Sequence, residues 1–417
     1  LTSEREKAIL VGSGPKQNEW EIHSTLAELE QLADTSQADV LTKVIQFRDR
    51  KDAAWFIGKG KAEEIAQLAE KLSADLVIFD QELSPAQIRN LEQLIPCKVI
   101  DRTQLILDIF AQRAQTKEGR LQVELAQLQY MLPRLVGRGK ELSRLGGGIG
   151  TRGPGEKKLE TDRRHIRRQI SELKRELEEV RKHRQLHQTR RKKINQTQIS
   201  LVGYTNAGKS TLLNRLTGAD VYAENQLFAT LDPTSRFLEL PSGKQALLTD
   251  TVGFIRNLPH HLVAAFRSTL EQVREADLLL HVVDSSHPEA TEQMEAVEKV
   301  LTELEAAHLP TLIVLNKADQ VESSILEVGG EVIRISAFND EDLVRLKEKI
   351  EQLLKQEHVE GVADIPVERG DWISTLYRHA EVIHSKVTDL TVQIHFRIPR
   401  QELGRFPSEL KSHLHIN

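Results

Sequence analysis

Residues 203–210 read Gly-Tyr-Thr-Asn-Ala-Gly-Lys-Ser and fit G-x-x-x-x-G-K-[ST], the pattern that most narrows what this chain can fold into. Its glycines let the backbone curl until successive N–H groups face one anion. Such a loop works where a strand delivers it and a helix begins at it. An apolar run from Ile199 to Val202 precedes it, and a helical stretch from Thr211 to Thr217 follows. The pattern therefore predicts an α/β domain that holds a nucleoside phosphate. Lys209 is expected to reach the β- and γ-phosphates, and the Ser210 hydroxyl to ligand Mg²⁺. Gly203, Tyr204, Thr205, Asn206, Ala207, Gly208 and Thr211 complete the expected phosphate-binding set.

Three later segments, each after an apolar run, narrow the nucleotide. Asp250-Thr251-Val252-Gly253 puts a carboxylate where it can hold Mg²⁺ through water. Its glycine N–H can meet the γ-phosphate with no Cβ in the way. Asn316-Lys317-Ala318-Asp319 offers the Asp319 carboxylate to guanine N1–H and N2–H₂. Adenine lacks that donor pair, and a desolvated carboxylate without partners is costly. Asn316 is expected to brace the phosphate loop, and Lys317 to lie along the base plane. Ser336-Ala337, followed by Phe338, brings backbone N–H toward guanine O6. Each segment alone is an ordinary polar turn. In this order they resemble the translation-factor-related GTPases.

Between the first two motifs lies Leu227-Phe228-Ala229-Thr230-Leu231-Asp232-Pro233-Thr234, the expected first switch loop. Thr230 and Thr234 are both candidates to close on Mg²⁺; the other task open to Thr234 is to cap the turn beside Pro233. The Phe-Ala-Thr-Leu stretch resembles the switch of the Obg-like GTPases, which implies Thr230. Phe228, Ala229, Leu231 and Asp232 join the nucleotide-site candidates with it. The expected catalytic residues are Lys209, Thr230 and Gly253, and the expected metal ligands Ser210, Thr230 and Asp250. Phe254 follows Gly253, where many GTPases of this class carry a glutamine that orients the attacking water. Phenylalanine neither donates nor accepts a hydrogen bond, so slow turnover without a stimulating partner is expected. Asn206 is a candidate to seat K⁺ beside the phosphates; the alternative is that it only stabilises the loop turn.

The 417 residues suffice for several domains with full cores. No apolar run approaches the roughly 20 residues that span a bilayer. The charged start, Leu1-Thr-Ser-Glu-Arg-Glu-Lys7, lacks the apolar stretch of a signal peptide. The single cysteine, Cys97, excludes an internal disulfide and fits a reducing cytoplasm. It reads as a structural thiol. A net charge of −5 argues against generic nucleic-acid binding. Yet residues 156–193 carry 15 Lys or Arg against 7 Asp or Glu, a basic segment on an acidic body.

That segment belongs to a predicted pair of long helices. Leu121, Leu125, Leu128, Leu132 and Leu135 make one apolar seam; Leu159, Ile166, Ile170, Leu173, Leu177 and Val180 make the other. Matching seams predict an antiparallel hairpin, with Pro133 kinking or ending the first helix. Its connection is glycine-rich and carries Arg138, Lys140, Arg144 and Arg152. The expectation is a probe inserted into folded RNA, with cations on phosphate; the alternative is a mobile loop with solvated charges. Residues 184–197 read as a linker or a helix end.

Before the hairpin, strands at Ala8 to Val11, Val40 to Phe47, Leu76 to Phe79 and Lys98 to Ile100 alternate with helices, predicting a small parallel layer. Phe56-Ile-Gly-Lys-Gly-Lys61 within it is either an anion site or a plain tight turn. The expected division is an N-terminal α/β unit over 1–112, the hairpin over 113–195, the GTPase domain over 198–356 and a small α/β domain over 357–417. The last unit is expected to contain a helix from Trp372 to Ser385 and a strand from Leu390 to Ile398, and to dock on a partner.

Asp101-Arg-Thr-x-Leu-Ile-Leu-Asp-Ile-Phe110, Leu121-Gln-Val-Glu-Leu-Ala-Gln-Leu128, Gly147-Gly-Ile-Gly-x-Arg-Gly-Pro-Gly-Glu156, Leu159-Glu-Thr-Asp-Arg-Arg164, the phosphate loop through Thr211, and Asp250-Thr-Val-Gly-Phe-Ile-Arg256 together resemble the HflX GTPases. The resemblance spans about residues 8–350. Lys157 departs from it, standing where that family usually has threonine. The resemblance implies a GTPase that binds GTP and GDP and associates with the large ribosomal subunit and its rRNA; a monomer is expected. It implies an arm that reaches toward the peptidyl transferase centre, and a role in splitting or rescuing stalled ribosomes under stress. Some members also hydrolyse ATP, with the N-terminal unit implicated. Two other readings stay open: a GTP-timed factor in large-subunit assembly, and an ATP-driven rRNA remodeller.

Overall fold

Parallel strands need crossovers and burial on both faces, and the first hundred residues are built that way. Strands β1 (Glu6–Gly14), β2 (Ala38–Phe47), β3 (Leu76–Phe79) and β4 (Lys98–Asp101) form an all-parallel sheet in the order β2-β1-β3-β4. Helices α1 (Glu19–Thr35), α2 (Lys59–Leu72), α3 (Pro85–Leu94) and α4 (Arg102–Arg113) cover it. Ile9, Val11, Val77 and Phe79 pack in one core with Ile65 of α2 and Leu91 of α3; Leu10, Ile78 and Ile100 pack in another with Leu26 of α1 and Ile106 of α4. Ser84 and Gln87 start α3 with a reciprocal capping box. In the Gly-Lys segment Gly58 is the N-cap of α2 and Lys59–Lys61 begin that helix: Gly58 N–H donates to Gln46 Oε1 at 2.8 Å, and Lys59 and Lys61 pair with Glu63 and Glu64. This computed structural model describes residues 5–135, 154–193, 196–219, 227–256, 273–321, 329–356, 358–388, 390–399, 403 and 406–416.

Helices α5 (Lys117–Arg134) and α6 (Pro154–Lys193) form the hairpin. Leu121, Leu125 and Leu128 meet Ile170, Leu173 and Leu177 along the expected seam. The other face of α5 (Val123, Ala126 and Tyr130) enters the N-terminal core. Pro133 lies in the last turn of α5, which ends at Arg134. Residues 184–193 continue α6 as a helix end. The tip, with Arg138, Lys140, Arg144 and Arg152, lies outside the described residues, as does the Lys157 side chain.

The next sheet takes β5 (Gln198–Gly203), β6 (Thr234–Glu239), β7 (Gln245–Asp250), β8 (Leu278–Asp284), β9 (Thr311–Asn316) and β10 (Glu331–Arg334) in the order β10-β9-β8-β5-β7-β6. Only β6 runs antiparallel to its neighbour. Helices α7 (Lys209–Thr217), α8 (Ala290–Glu303) and α9 (Asp340–Gln356) flank it. The last unit is an antiparallel sheet of β11 (His358–Pro366), β12 (Glu381–Val387), β13 (Thr391–Pro399) and β14 (Leu414–Ile416), with α10 (Gly370–His379) and the short α11 (Ser408–Lys411). The helix expected from Trp372 to Ser385 thus stops at His379. Residues 381–387 pair with β13 instead, an edge position that suits β-branched Val382 and Ile383.

One core joins the N-terminal sheet to the nucleotide-loop domain. Phe110 of α4 meets the Phe228 ring edge-on at 4.7 Å. Leu227, Leu231, Tyr204, Val252, Phe254 and Ile255 belong to the same buried cluster. The partners of the N-terminal unit therefore include the phosphate loop and the segments expected to switch.

Candidate functional site

The phosphate loop leaves β5 at Gly203 and ends where Gly208, at φ 93°, caps α7. Eleven residues line one cleft: Thr205, Asn206, Gly208, Lys209, Ser210, Thr211, Phe228, Ala229, Thr230, Thr251 and Gly253. All eleven come from the set expected from sequence. Buried Lys209 folds over the loop, its Nζ 3.0 Å from Gly203 O and 2.7 Å from Tyr204 O. Burial pulls its pKa down to about 8, although Asp250 works in the other direction. Gly253 closes on this loop; a Cβ there would stand 2.8 Å from Thr205 Cα and 3.0 Å from Lys209 Nζ.

Ser210 Oγ donates to Asp250 Oδ2 at 2.6 Å and lies 2.8 Å from Thr230 Oγ1. The three expected metal ligands therefore meet at one corner. Thr234 instead lies in β6, paired with Asp250 across the strands. Burial pushes the Asp250 carboxyl up, against Lys209 and the Ser210 hydroxyl. Its buried Oδ1 has no hydrogen-bond partner among the described residues, as does Thr205 Oγ1. Two hydroxyls and a carboxylate, one of whose buried oxygens is orphaned, are hard oxygen donors of the kind Mg²⁺ takes. Beneath the loop, burial lowers His281 to about 4, so its imidazole is neutral at pH 7.

At the base end, Asn316 ties three segments together. Its Nδ2 donates to Ala207 O at 2.9 Å, and its Oδ1 accepts from Ala337 N–H at 3.1 Å. Lys317, at φ 60°, pairs with Asp284 at 2.6 Å. Asp319 and Phe338 are exposed, Phe338 at 72%. Ser336 N–H donates to Asp342 Oδ2 at 2.8 Å. The Ser336 and Ala337 amides, expected to face guanine O6, are thus already engaged. Phe338 N–H, 3.4 Å from Ser336 Oγ, is the least strongly held of the three.

Some expected site residues sit elsewhere. Leu231 and Val252 are buried in the inter-domain core. Asp232 turns its carboxylate to Gln115 and Thr116, away from the cleft. Phe254 is 2% exposed with its ring in that core. Its backbone, however, bridges to the phosphate loop: Thr205 N–H donates to Phe254 O at 2.8 Å, and Phe254 N–H to Gly203 O at 3.1 Å.

Behind the loop lies a buried polar cluster that sequence reading missed. The Tyr204 hydroxyl and Arg102 both donate to Glu28; Arg102 also reaches Asp80 at 2.9 Å. Tyr204 Oη accepts from Arg256 N–H at 2.7 Å. The Arg256 side chain pairs with Glu289 at 3.1 Å. Burial and the Glu28 charge push the Tyr204 phenol up, so it stays a donor. Glu28 and Tyr204 are 176 residues apart, and no local pattern could have joined them.

Three family models match consecutive stretches: "GTP-binding GTPase N-terminal" over residues 23–111, "GTP-binding GTPase Middle Region" over 113–191, and "50S ribosome-binding GTPase" over 198–317. The GTPase HflX of Alkalihalophilus pseudofirmus is 52% identical over 385 residues, 92% of this chain and 91% of that protein. Its counterpart from Escherichia coli is 52% identical over 297 residues, 71% of this chain and 70% of that one. Among solved structures, a GTP-binding protein from Sulfolobus solfataricus in complex with GDP aligns at a TM-score of 0.45 and 26% identity, covering 84% of this chain and 99% of that one. Three consecutive family models cover most of residues 23–317, and identity above half extends over most of the chain: it belongs to the HflX family of GTPases.

Proposed function

We propose that this GTPase uses its nucleotide to time the grip of its helical arm on the RNA of the large ribosomal subunit, and that this grip separates or rescues stalled ribosomes. Lys209 and the loop N–H groups hold the β- and γ-phosphates. Gly253 N–H meets the γ-phosphate. Ser210, Thr230 and Asp250 hold Mg²⁺, which when bound offsets charge on the phosphate oxygens. Asp319 selects guanine, with Phe338 N–H toward O6. Phe254 leaves the attacking water without a side chain at that position, so turnover is slow until a partner supplies or positions a group. Asn206, left-handed at φ 61° and lining the cleft, is the residue to test for K⁺; equal rates in K⁺ and Na⁺ assign it to the turn alone.

One observation carries this reading: the unit that roots the basic arm packs directly on Phe228, Leu231 and Phe254, in the segments expected to switch. The 50S description of the family model over 198–317 supports the choice of partner. The test is sedimentation with purified large subunits and with joined ribosomes, in GDP and in a non-hydrolysable GTP analogue. Co-sedimentation with the large subunit and loss of the joined peak in the analogue alone are expected. Joined ribosomes that survive while the large subunit is still bound would favour an assembly role. Equal binding in both nucleotides would overturn the timing.

A further inference from the structure

We propose that Asp232 is a positioning residue that latches the first switch to the root of the arm, so that the state of Thr230 and the seating of α5 depend on each other. The proposal rests on the nucleotide-timed arm described above and names its joint.

The geometry is that of a two-sided tie. Asp232 Oδ2 accepts from Gln115 N–H at 2.7 Å and from Thr116 N–H at 2.8 Å; Oδ1 accepts from the Thr116 hydroxyl at 2.6 Å. Thr116 is in turn the cap of α5, its Oγ1 accepting from Gly119 N–H at 2.9 Å. The start of a helix presents N–H groups without intrahelical acceptors and a partial positive charge. Here a carboxylate from another domain takes up donors at that start, through hydrogen bonds of the stronger, charge-assisted kind. The helix is also cut to admit it: a Cβ on Gly119 would run into Asp232 Oδ1. Two residues back along the chain, Thr230 touches Ser210 at the metal corner. Closed switch and closed latch therefore coexist in one structure. Only Leu231, itself buried in the shared core, separates them. Release of Thr230 after hydrolysis would pull on Asp232. By reciprocity, an arm held on RNA would favour the closed position of Thr230.

Hydrogen exchange in the full-length protein tests this. The amides of Gln115 and Thr116 are followed in GDP and in a GTP analogue, for wild type, Asp232→Ala and Gly119→Ala. Alanine suits a helix interior better than glycine, so Gly119→Ala is expected to fold while its methyl displaces the carboxylate. Wild type should exchange about tenfold more slowly with the analogue than with GDP, as loss of a charge-assisted bond would produce. Both variants should reduce that ratio to below about twofold, with GDP affinity of Gly119→Ala retained. Variants that keep the wild-type ratio overturn the latch and leave the timed arm standing. A wild-type ratio of one overturns the latch as well; the timed arm is then judged by the sedimentation experiment, which does not depend on Asp232.

Discussion

Lys209 shows how one side chain sets a measurable pH dependence. Burial holds it near 8 in the nucleotide-free protein. A bound phosphate raises it again, so above that pH binding must take up a proton. GDP affinity should be flat below pH 7 and fall by up to about tenfold per pH unit above 8. Titration calorimetry in buffers of different ionisation heat checks this; heats that do not depend on buffer at about pH 8.5 would refute it. Phe254 makes a second case. Because its ring lies in the core, Phe254→Gln should bury an amide and cost about 3 kcal/mol. Its unstimulated turnover should not rise. A faster enzyme of unchanged melting temperature would mean that the side chain can reach the water. The phosphate loop was legible because its determinants lie within eight neighbouring residues. The turn of Asp232 away from the nucleotide was not, since its partners lie 116 and 117 positions away.

Whether an element was legible depended on whether its own face or its neighbours decide its state. The seams of α5 and α6 are periodic and were readable. The segment after His379 was not, because pairing with β13 overrides its helical run. The joint between α1, α4 and the phosphate loop is also made of neighbours. Among the described residues, Tyr204→Phe would leave Glu28 with Arg102 and take the acceptor from Arg256 N–H. A loss of about 1–3 kcal/mol in urea unfolding is expected. Faster exchange of the Arg256 amide should accompany it. Unchanged stability and exchange would show that water replaces the hydroxyl at no cost.

For the whole molecule, domain order could be read but domain contact could not. Phe110, Phe228 and Phe254 look in the sequence like any core residues of their own units, yet they meet in one shared core. Among the described residues no helix is long and apolar enough to cross a membrane. The long helix α6 is instead strongly charged, with 15 Lys or Arg against 7 Asp or Glu over residues 156–193. It spans residues 154–193, about 60 Å at the usual rise. It ends four residues before β5, the strand that delivers the phosphate loop. Its companion starts at the first switch. The rod is held where α5, seated in the N-terminal core, meets Ile170, Leu173 and Leu177, and residues 154–169 run on beyond that seam for about 24 Å. Any tilt at that seam is therefore magnified toward residue 154, beside the glycine-rich connection.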